Sequence, residues 1–141
     1  MTDNDSFSDS LTFPSTTDQI AKVDEFLETW LRKIGVPEDT IANLAIAVTE
    51  LVNNAIKHGN KLQKNKMVTV SITYASGRIE VAVSDEGEGF DPEDIADPLA
   101  EENLLKEIGR GIFIVNSLID KVKFQFPPGG GTKVTITKNI G

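Results

Sequence analysis

The sequence predicts an α+β fold, a two-layer sandwich in which three helices cover one face of a mixed, mostly antiparallel sheet. Apolar periodicity gives segments in the order β-α-α-β-β-loop-α-β-β. In that order the helices cannot all be crossovers of a parallel sheet, which favours helices packed on one side. The 141 residues are enough for one domain. We therefore expect a disordered N-terminus over residues 1–8 and a single domain over residues 9–141.

The N-terminal part begins with a short edge strand and a capped helix. The strand is expected over residues 10–14, where apolar residues alternate and a proline stops the pairing. Thr16 and Gln19 have the spacing of a capping box, which predicts a helix from there. Gly35 is expected to end that helix.

A second helix is predicted from Pro37 to about residue 58, and it carries polar residues beside its apolar face. Glu50, Asn54 and His58 are four residues apart and share one stripe. A carboxylate can take a proton, and a carboxamide oxygen can hold a hard cation. A solvated helix edge remains the alternative interpretation of any single Glu/Asn pair.

The C-terminal half is predicted to be mostly strands. They are expected at residues 67–74, 79–83, 122–126 and 134–136, with a helix at 112–119. The helix is apolar on more than one side, so we expect it to be largely buried. Residues 86–108 lack a sustained period and predict a long loop, which in a compact domain is usually functional or mobile.

Composition excludes several classes of function. There is no cysteine and one histidine, which excludes disulfides, thiolate sites and zinc sites with several imidazoles. The net charge of −8 argues against nucleic acid as the main partner. No apolar run is long enough for a membrane span and no secretory leader is visible, so a cytoplasmic protein is expected. Residues 85–107 hold ten acidic residues and one lysine. Polyphosphate bound beside them would need a divalent cation, although a solvated acidic loop is the commoner case.

The first of three glycine clusters follows the second strand of the predicted hairpin. Asp85 stands at the strand end, with Gly87 and Gly89 after it. A fixed carboxylate there can accept a hydrogen bond from an exocyclic amine such as that of adenine, and the glycines let a flat ring approach the backbone. An acidic turn is the alternative.

The other two clusters frame the last helix and the last hairpin. Gly109-Arg110-Gly111 lies at a helix start, where free N–H groups and the helix dipole favour an anion. Gly129-Gly130-Gly131-Thr132 is either a simple hairpin turn or a place where a threonine hydroxyl shares a water molecule with Asp85.

In combination, these motifs resemble the GHKL ATP-binding superfamily, from Leu11 to Lys138. Its N, G1, G2 and G3 boxes match Glu50-x-x-x-Asn54, Asp85-x-Gly87-x-Gly89, Gly109-x-Gly111 and Gly130-Gly131-Thr132. The compact size and the phrase Glu-Leu-Val-Asn-Asn-Ala-Ile-Lys-His-Gly are similar to one branch, the bacterial anti-sigma-factor serine/threonine-protein kinases of partner-switching systems.

The resemblance implies a role for each motif in binding ATP or ADP with Mg²⁺. Asn54 would coordinate the Mg²⁺ that bridges the phosphates. Asp85 would bind the adenine amine, with Thr132 and the first-cluster glycines Gly87 and Gly89 nearby. Residues 86–108 would form the ATP lid.

The phosphate end and the chemistry follow from the same resemblance. Gly109 and Gly111 would let the third helix start against the phosphates. Glu50 would be the general base that takes a proton from a Ser or Thr hydroxyl. Kinases of this branch often carry an Arg-Ser pair before the second box, where this chain has residues 106–108, Lys-Glu-Ile. Arg110 is the candidate to supply a positive charge instead.

The resemblance therefore implies a kinase that sequesters a sigma factor and phosphorylates a Ser or Thr of its antagonist. It also implies a homodimer, with the first strand and first helix as its expected surface. Two alternatives remain: a nucleotide-gated protein switch with little catalysis, and a free-standing domain related to histidine kinases that needs a separate histidine-bearing partner.

Overall fold

A five-stranded antiparallel sheet forms one layer of the protein. The computed structural model describes residues 6–87, 111 and 113–140. The strand order is β1-β2-β3-β5-β4, with β1 Phe7–Pro14, β2 Met67–Ala75, β3 Arg78–Ser84, β4 Lys121–Gln125 and β5 Lys133–Asn139. All four pairings are antiparallel, so the described sheet lacks the parallel pair that a mixed sheet would need. Hairpins join β2 to β3 and β4 to β5, which forces those pairs to be antiparallel.

Three helices form the second layer. They are α1 Ile20–Ile34, α2 Glu38–Asn54 and α3 at 113–118, with residue 111 also helical. Gly35 ends α1 in the left-handed conformation, as predicted. The predicted capping box does not form, because a 3₁₀ turn at Thr17–Gln19 precedes α1 and the Thr16 side chain makes no capping bond. Among the described helices, none is long and apolar enough to cross a membrane.

β1 begins at Phe7, earlier than the strand start predicted at residue 10. The Phe7 ring stacks on the Trp30 ring of α1, with ring centroids 4.5 Å apart. The Trp30 indole nitrogen donates to Asp9 Oδ2 at 3.0 Å. These contacts bind the strand start to α1, so residues 7 and 8 belong to the sheet rather than to a disordered N-terminus. Residues 1–5 lie outside the described residues.

The core lies between the helices and one face of the sheet. Strict alternation along the strands places one set of side chains inside, as the sequence predicted. The inward set is Val68, Val70, Ile72 and Tyr74 of β2, Ile79, Val81 and Val83 of β3, and Val134 and Ile136 of β5. The helices cover them with Val23, Leu27 and Leu31 of α1 and Ile41, Leu44, Val48, Leu51 and Val52 of α2.

The expectation of a largely buried third helix is only partly correct. Val115 and Ile119 are buried, but Phe113 is 74% exposed and Ile114 is 38% exposed. A helix that packs on a single sheet buries one stripe, here the residues four apart. Phe113 and Ile114 therefore face away from the core, whereas Leu118 packs partly against it.

Candidate functional site

Glu50 and Asn54 lie on α2 where that helix faces the start of α3. A Cβ atom built on Gly111 would lie 3.0 Å from Glu50 Oε2 and 3.5 Å from Asn54 Nδ2. The predicted polar stripe and the second glycine cluster therefore meet. The missing side chain at Gly111 lets the backbone of residue 111 approach a carboxylate and a carboxamide together.

The end of α2 departs from regular helical geometry. After Asn54 the chain forms a π turn, Ala55–Gly59, in which the Asn60 N–H donates to the Ala55 carbonyl at 2.8 Å. Isolated π turns of this kind are frequent at functional sites. Here the turn brings Gly59 against Asp85, so closely that a Cβ on Gly59 would overlap the Asp85 carboxylate.

Asp85 is held by backbone groups from two glycine clusters. Its Oδ1 atom accepts from the Gly87 N–H at 2.9 Å and from the Thr132 N–H at 3.2 Å. The Asp85 N–H donates to the Thr132 carbonyl at 3.0 Å, and the Gly131 N–H donates to the Gly87 carbonyl at 2.6 Å. Both of these hydrogen bonds to the side chain reach Oδ1, and the second carboxylate oxygen, Oδ2, lies against the Gly59 backbone. The carboxylate is thus fixed in direction.

Burial raises the pKa of Asp85 above its usual 3.8. The hydrogen bonds from Gly87 and Thr132 and the charge of Lys66 lower that pKa, but the effect of burial is larger. The ionised carboxylate is therefore poorly solvated. A ligand that donates a hydrogen bond to Oδ2 would stabilise it.

A buried hydroxyl lies beside this carboxylate. Thr132 is 4% exposed, and within the described part of the chain its Oγ1 atom has no hydrogen-bond partner. Leaving such a group unpaired costs on the order of 1–3 kcal/mol. An unpaired hydroxyl next to an aspartate held by two backbone N–H groups has the chemistry of a site for a polar, hydrogen-bonding ring.

The described part of the chain does not contain every predicted site residue. Glu50, Asn54, Asp85, Gly87, Gly111 and Thr132 are described; Gly89, Gly109 and Arg110 lie outside the described residues. Over residues 6–87, 111 and 113–140, no three His, Asp or Glu side chains cluster in a way that could hold a metal ion.

Sequence reasoning missed two residues of this site, Gly59 and Asn60. The sequence predicts Gly59 only as the end of the second helix and assigns no role to Asn60. Gly59 contacts Asp85, and Asn60 is hydrogen-bonded to Ser15, Met67 and Glu86. Except for Met67, these partners are distant in sequence. A glycine followed by an asparagine after a helix is ordinary turn chemistry, so no local signal distinguishes them.

Comparison with known proteins decides the family. A model of the histidine kinase-like ATPase domain matches residues 13–138. The chain belongs to the histidine kinase-like ATPase family. This confirms the resemblance drawn from the four boxes, and that family's fold agrees with the helix-on-sheet architecture described above.

Three curated relatives of the chain carry the name serine-protein kinase RsbW. The protein from Bacillus subtilis is 34% identical over 114 residues, which cover 77% of this chain and 70% of the relative. The one from Bacillus licheniformis is 34% identical over 112 residues, 75% of this chain and 69% of the relative. The Staphylococcus aureus protein is 29% identical over 134 residues, 90% and 83% of the two chains.

Solved structures show the same fold. The RsbU and RsbW domains of a Mycobacterium tuberculosis protein superpose with a TM-score of 0.70 at 23% identity. That match covers 95% of this chain but only 32% of the other. The catalytic domain of histidine kinase ThkA gives a TM-score of 0.56 at 16% identity and covers 94% and 97% of the two chains.

Gly111→Ala tests the close approach between α3 and α2. Alanine is favoured over glycine within a helix by about 1 kcal/mol, so we expect the fold to be retained. The new methyl group would push the Glu50 carboxylate, and we expect ATP turnover to fall roughly 10- to 100-fold because a small misplacement costs that much. Gly129→Ala is the matched control, because a Cβ there meets nothing within 4 Å. Equal ATP turnover in Gly111→Ala and Gly129→Ala would show that the close approach of Gly111 to Glu50 does not matter for activity.

Asp85→Asn tests the cost of the half-buried carboxylate in the ligand-free protein. Because its folded pKa lies above 3.8, the folded chain holds the proton more tightly than the unfolded chain does. Stability conferred by the protonated form is therefore lost as the pH rises from 3.8 through the folded pKa. We expect Asp85→Asn to be at least as stable as wild type at pH 7, with an advantage that shrinks as the pH falls toward 3.8. Urea unfolding at both pH values measures this.

The control for this substitution is Glu25→Gln, which neutralises an exposed carboxylate on α1. Its free energy of unfolding should stay close to that of wild type at either pH. An Asp85→Asn variant clearly less stable than wild type at pH 7 would show that the charge itself stabilises the fold.

Proposed function

We propose that this protein is an ATP- and Mg²⁺-dependent serine/threonine-protein kinase that binds a sigma factor and phosphorylates its antagonist protein. The name of its curated relatives, serine-protein kinase, supports the reaction class. One observation carries the proposal for this chain: the start of α3 lies against both Glu50 and Asn54, so a base and a metal ligand face the same backbone.

The adenine end of the site is assigned to Asp85 and Thr132. Asp85 Oδ1 is already engaged by two N–H groups, so Oδ2 would accept from the adenine amine. The unpaired Thr132 hydroxyl would donate to a ring nitrogen or to a shared water molecule. Gly87 and Gly89 would let the ring lie close to the backbone.

The phosphate end is assigned to Asn54 and the start of α3. Asn54 would supply one oxygen to Mg²⁺, which usually keeps several waters and takes few protein ligands beside phosphate oxygens. Bound Mg²⁺ would offset the negative charge of the phosphates. Gly109, Gly111 and the charge of Arg110 would approach the same phosphates, where backbone N–H groups at a helix start favour anions.

Glu50 is assigned as the general base. The Ser or Thr hydroxyl oxygen of the protein substrate would form a bond to the γ-phosphorus of ATP while the bond to the β–γ bridging oxygen breaks. The hydroxyl proton would pass to the Glu50 carboxylate, and ADP would leave with the bridging oxygen. Glu50 suits this role because its carboxylate lies beside the metal ligand, one helical turn before Asn54.

We further propose that the chain from the start of β1 onward works as a single domain, in the cytoplasm and as a homodimer. Within the described part of the chain β1 is an edge strand, paired only with β2, and a second copy could pair with its outer edge. The net charge of −8 supports a protein partner rather than nucleic acid, and a membrane partner is not expected. Sedimentation analysis that finds only monomers would refute the dimer.

Calorimetric titration with ATP and Mg²⁺ tests the nucleotide assignment. Wild type should bind both ATP and ADP. Asp85→Asn replaces the acceptor Oδ2 by a donor, and we expect the affinity for ATP to fall at least about tenfold. Glu80→Gln, on the outer face of β3, is the control and should bind as wild type does. Wild-type affinity in Asp85→Asn would remove Asp85 from the adenine site.

Incubation with labelled ATP, Mg²⁺ and the antagonist protein tests the reaction. Transfer should place the label on a Ser or Thr, where the phosphate survives acid, unlike phosphohistidine. Glu50→Ala should slow transfer about 10²–10⁴-fold and leave ATP affinity nearly unchanged. Tight ATP binding without any label would instead indicate a nucleotide-gated switch, and an unchanged rate in Glu50→Ala would exclude it as the base.

A further inference from the structure

A buried polar residue, Asn60, connects three segments of the chain behind the proposed adenine site. Its side chain is 0% exposed. The Nδ2 group donates to Ser15 Oγ at 2.7 Å and to the Met67 carbonyl at 2.9 Å. Its Oδ1 atom accepts from the Glu86 N–H at 2.8 Å. A buried carboxamide with donors and acceptor all engaged holds its neighbours in fixed directions.

Two of these bonds anchor Asn60 to the rim of the sheet. Ser15 follows β1 and is itself fully buried, and its hydroxyl donates to the Lys66 carbonyl at 2.6 Å. Met67 is the first residue of β2. The ends of two paired strands therefore hold the Nδ2 side of the carboxamide.

The third bond reaches the residue directly after Asp85. The Glu86 N–H belongs to the same peptide unit as the Asp85 carbonyl, so Asn60 Oδ1 fixes the plane in which the chain leaves Asp85. Gly59, directly before Asn60, touches the Asp85 carboxylate, and Gly87 lies against the Gly59 carbonyl. Residues 59 and 60 thus support Asp85 from both its side chain and its main chain.

We propose that Asn60 is a positioning residue that aims the Asp85 carboxylate and thereby sets the preference of the site for adenine over guanine. This rests on the proposed assignment of Asp85 to the adenine amine. Adenine presents an amino donor at C6, where guanine presents a carbonyl acceptor. A carboxylate held in the plane of the base accepts a hydrogen bond from the adenine amino group and repels the guanine carbonyl. The selectivity for adenine over guanine therefore depends on how firmly the Asp85 carboxylate is held.

Ser15→Ala supplies a matched structural control. It removes a buried hydroxyl from the same network, but it leaves the Asn60 bonds to the Met67 carbonyl and the Glu86 N–H in place. Asn60→Ser is the test variant, because a serine side chain is too short to reach the Glu86 N–H. Both should lose stability, whereas only Asn60→Ser should change nucleotide selectivity.

The measurement is calorimetric titration of each folded variant with ATP and with GTP, both with Mg²⁺. For Asn60→Ser we expect ATP affinity to fall about tenfold, the effect of one lost buried hydrogen bond, while GTP affinity changes by less than about twofold. Ser15→Ala should keep the wild-type ratio of ATP to GTP affinity. A wild-type ratio in Asn60→Ser, or an equal loss of selectivity in Ser15→Ala, would overturn the proposal.

Wild-type protein provides a test that no folding defect can obscure. The Glu86 amide should be protected from hydrogen exchange before any nucleotide is added, and rapid exchange there would overturn the proposal. Asp85→Asn distinguishes a failure of the adenine assignment from a failure of the proposed role of Asn60. If Asp85→Asn binds ATP normally, the adenine assignment fails; if it binds weakly while Asn60→Ser keeps the wild-type ratio, only the role of Asn60 fails.

Discussion

The contact between the Gly59 backbone and the Asp85 carboxylate joins the helical layer to the sheet at the proposed nucleotide site. A side chain at residue 59 would occupy the space of the carboxylate, so the contact exists only because glycine has none. Gly87 then lies on the Gly59 carbonyl, and Gly131 and Thr132, just before β5, bind to Gly87 and Asp85. The end of α2, the end of β3 and the approach to β5 are therefore fixed relative to one another.

Two features at this junction are unfavourable for the ligand-free fold. Burial raises the pKa of Asp85, which disfavours its ionised form, and the Thr132 hydroxyl is buried without a partner in the described chain. A fold selected only for stability would replace both. They lie opposite each other, just beyond the Ser84–Lys133 pair that ends the β3–β5 ladder. Their presence together is explained if a ligand supplies the missing hydrogen bonds. The rest of the core is apolar and follows the alternation of the strands. Among the described residues it contains no other buried side-chain polar atom without a hydrogen-bond partner.

The sequence was sufficient wherever one periodicity decided the outcome. Alternation placed the inward residues of β2, β3 and β5, and the polar stripe at Glu50 and Asn54 was found to meet Gly111. The sequence was insufficient where a contact with a residue distant in sequence decided the local structure. Phe7 joins the sheet because Trp30 stacks on it, and Asn60 is buried because Ser15, 45 residues earlier, receives its hydrogen bond. The exposure of Phe113 depends on how much of α3 the sheet can cover, which apolar periodicity does not reveal.

The π turn at Ala55–Gly59 has a consequence for how this helix can change over evolution. A π turn holds one residue more than the α-helical turn it interrupts. Loss of a single residue there would let the helix continue in regular geometry, and everything beyond it would rotate by about 100° around the axis. Glu50 and Asn54 would keep their places, but a different residue would reach Asp85. Insertions and deletions in these five positions should therefore be more damaging than in a turn whose far end contacts nothing.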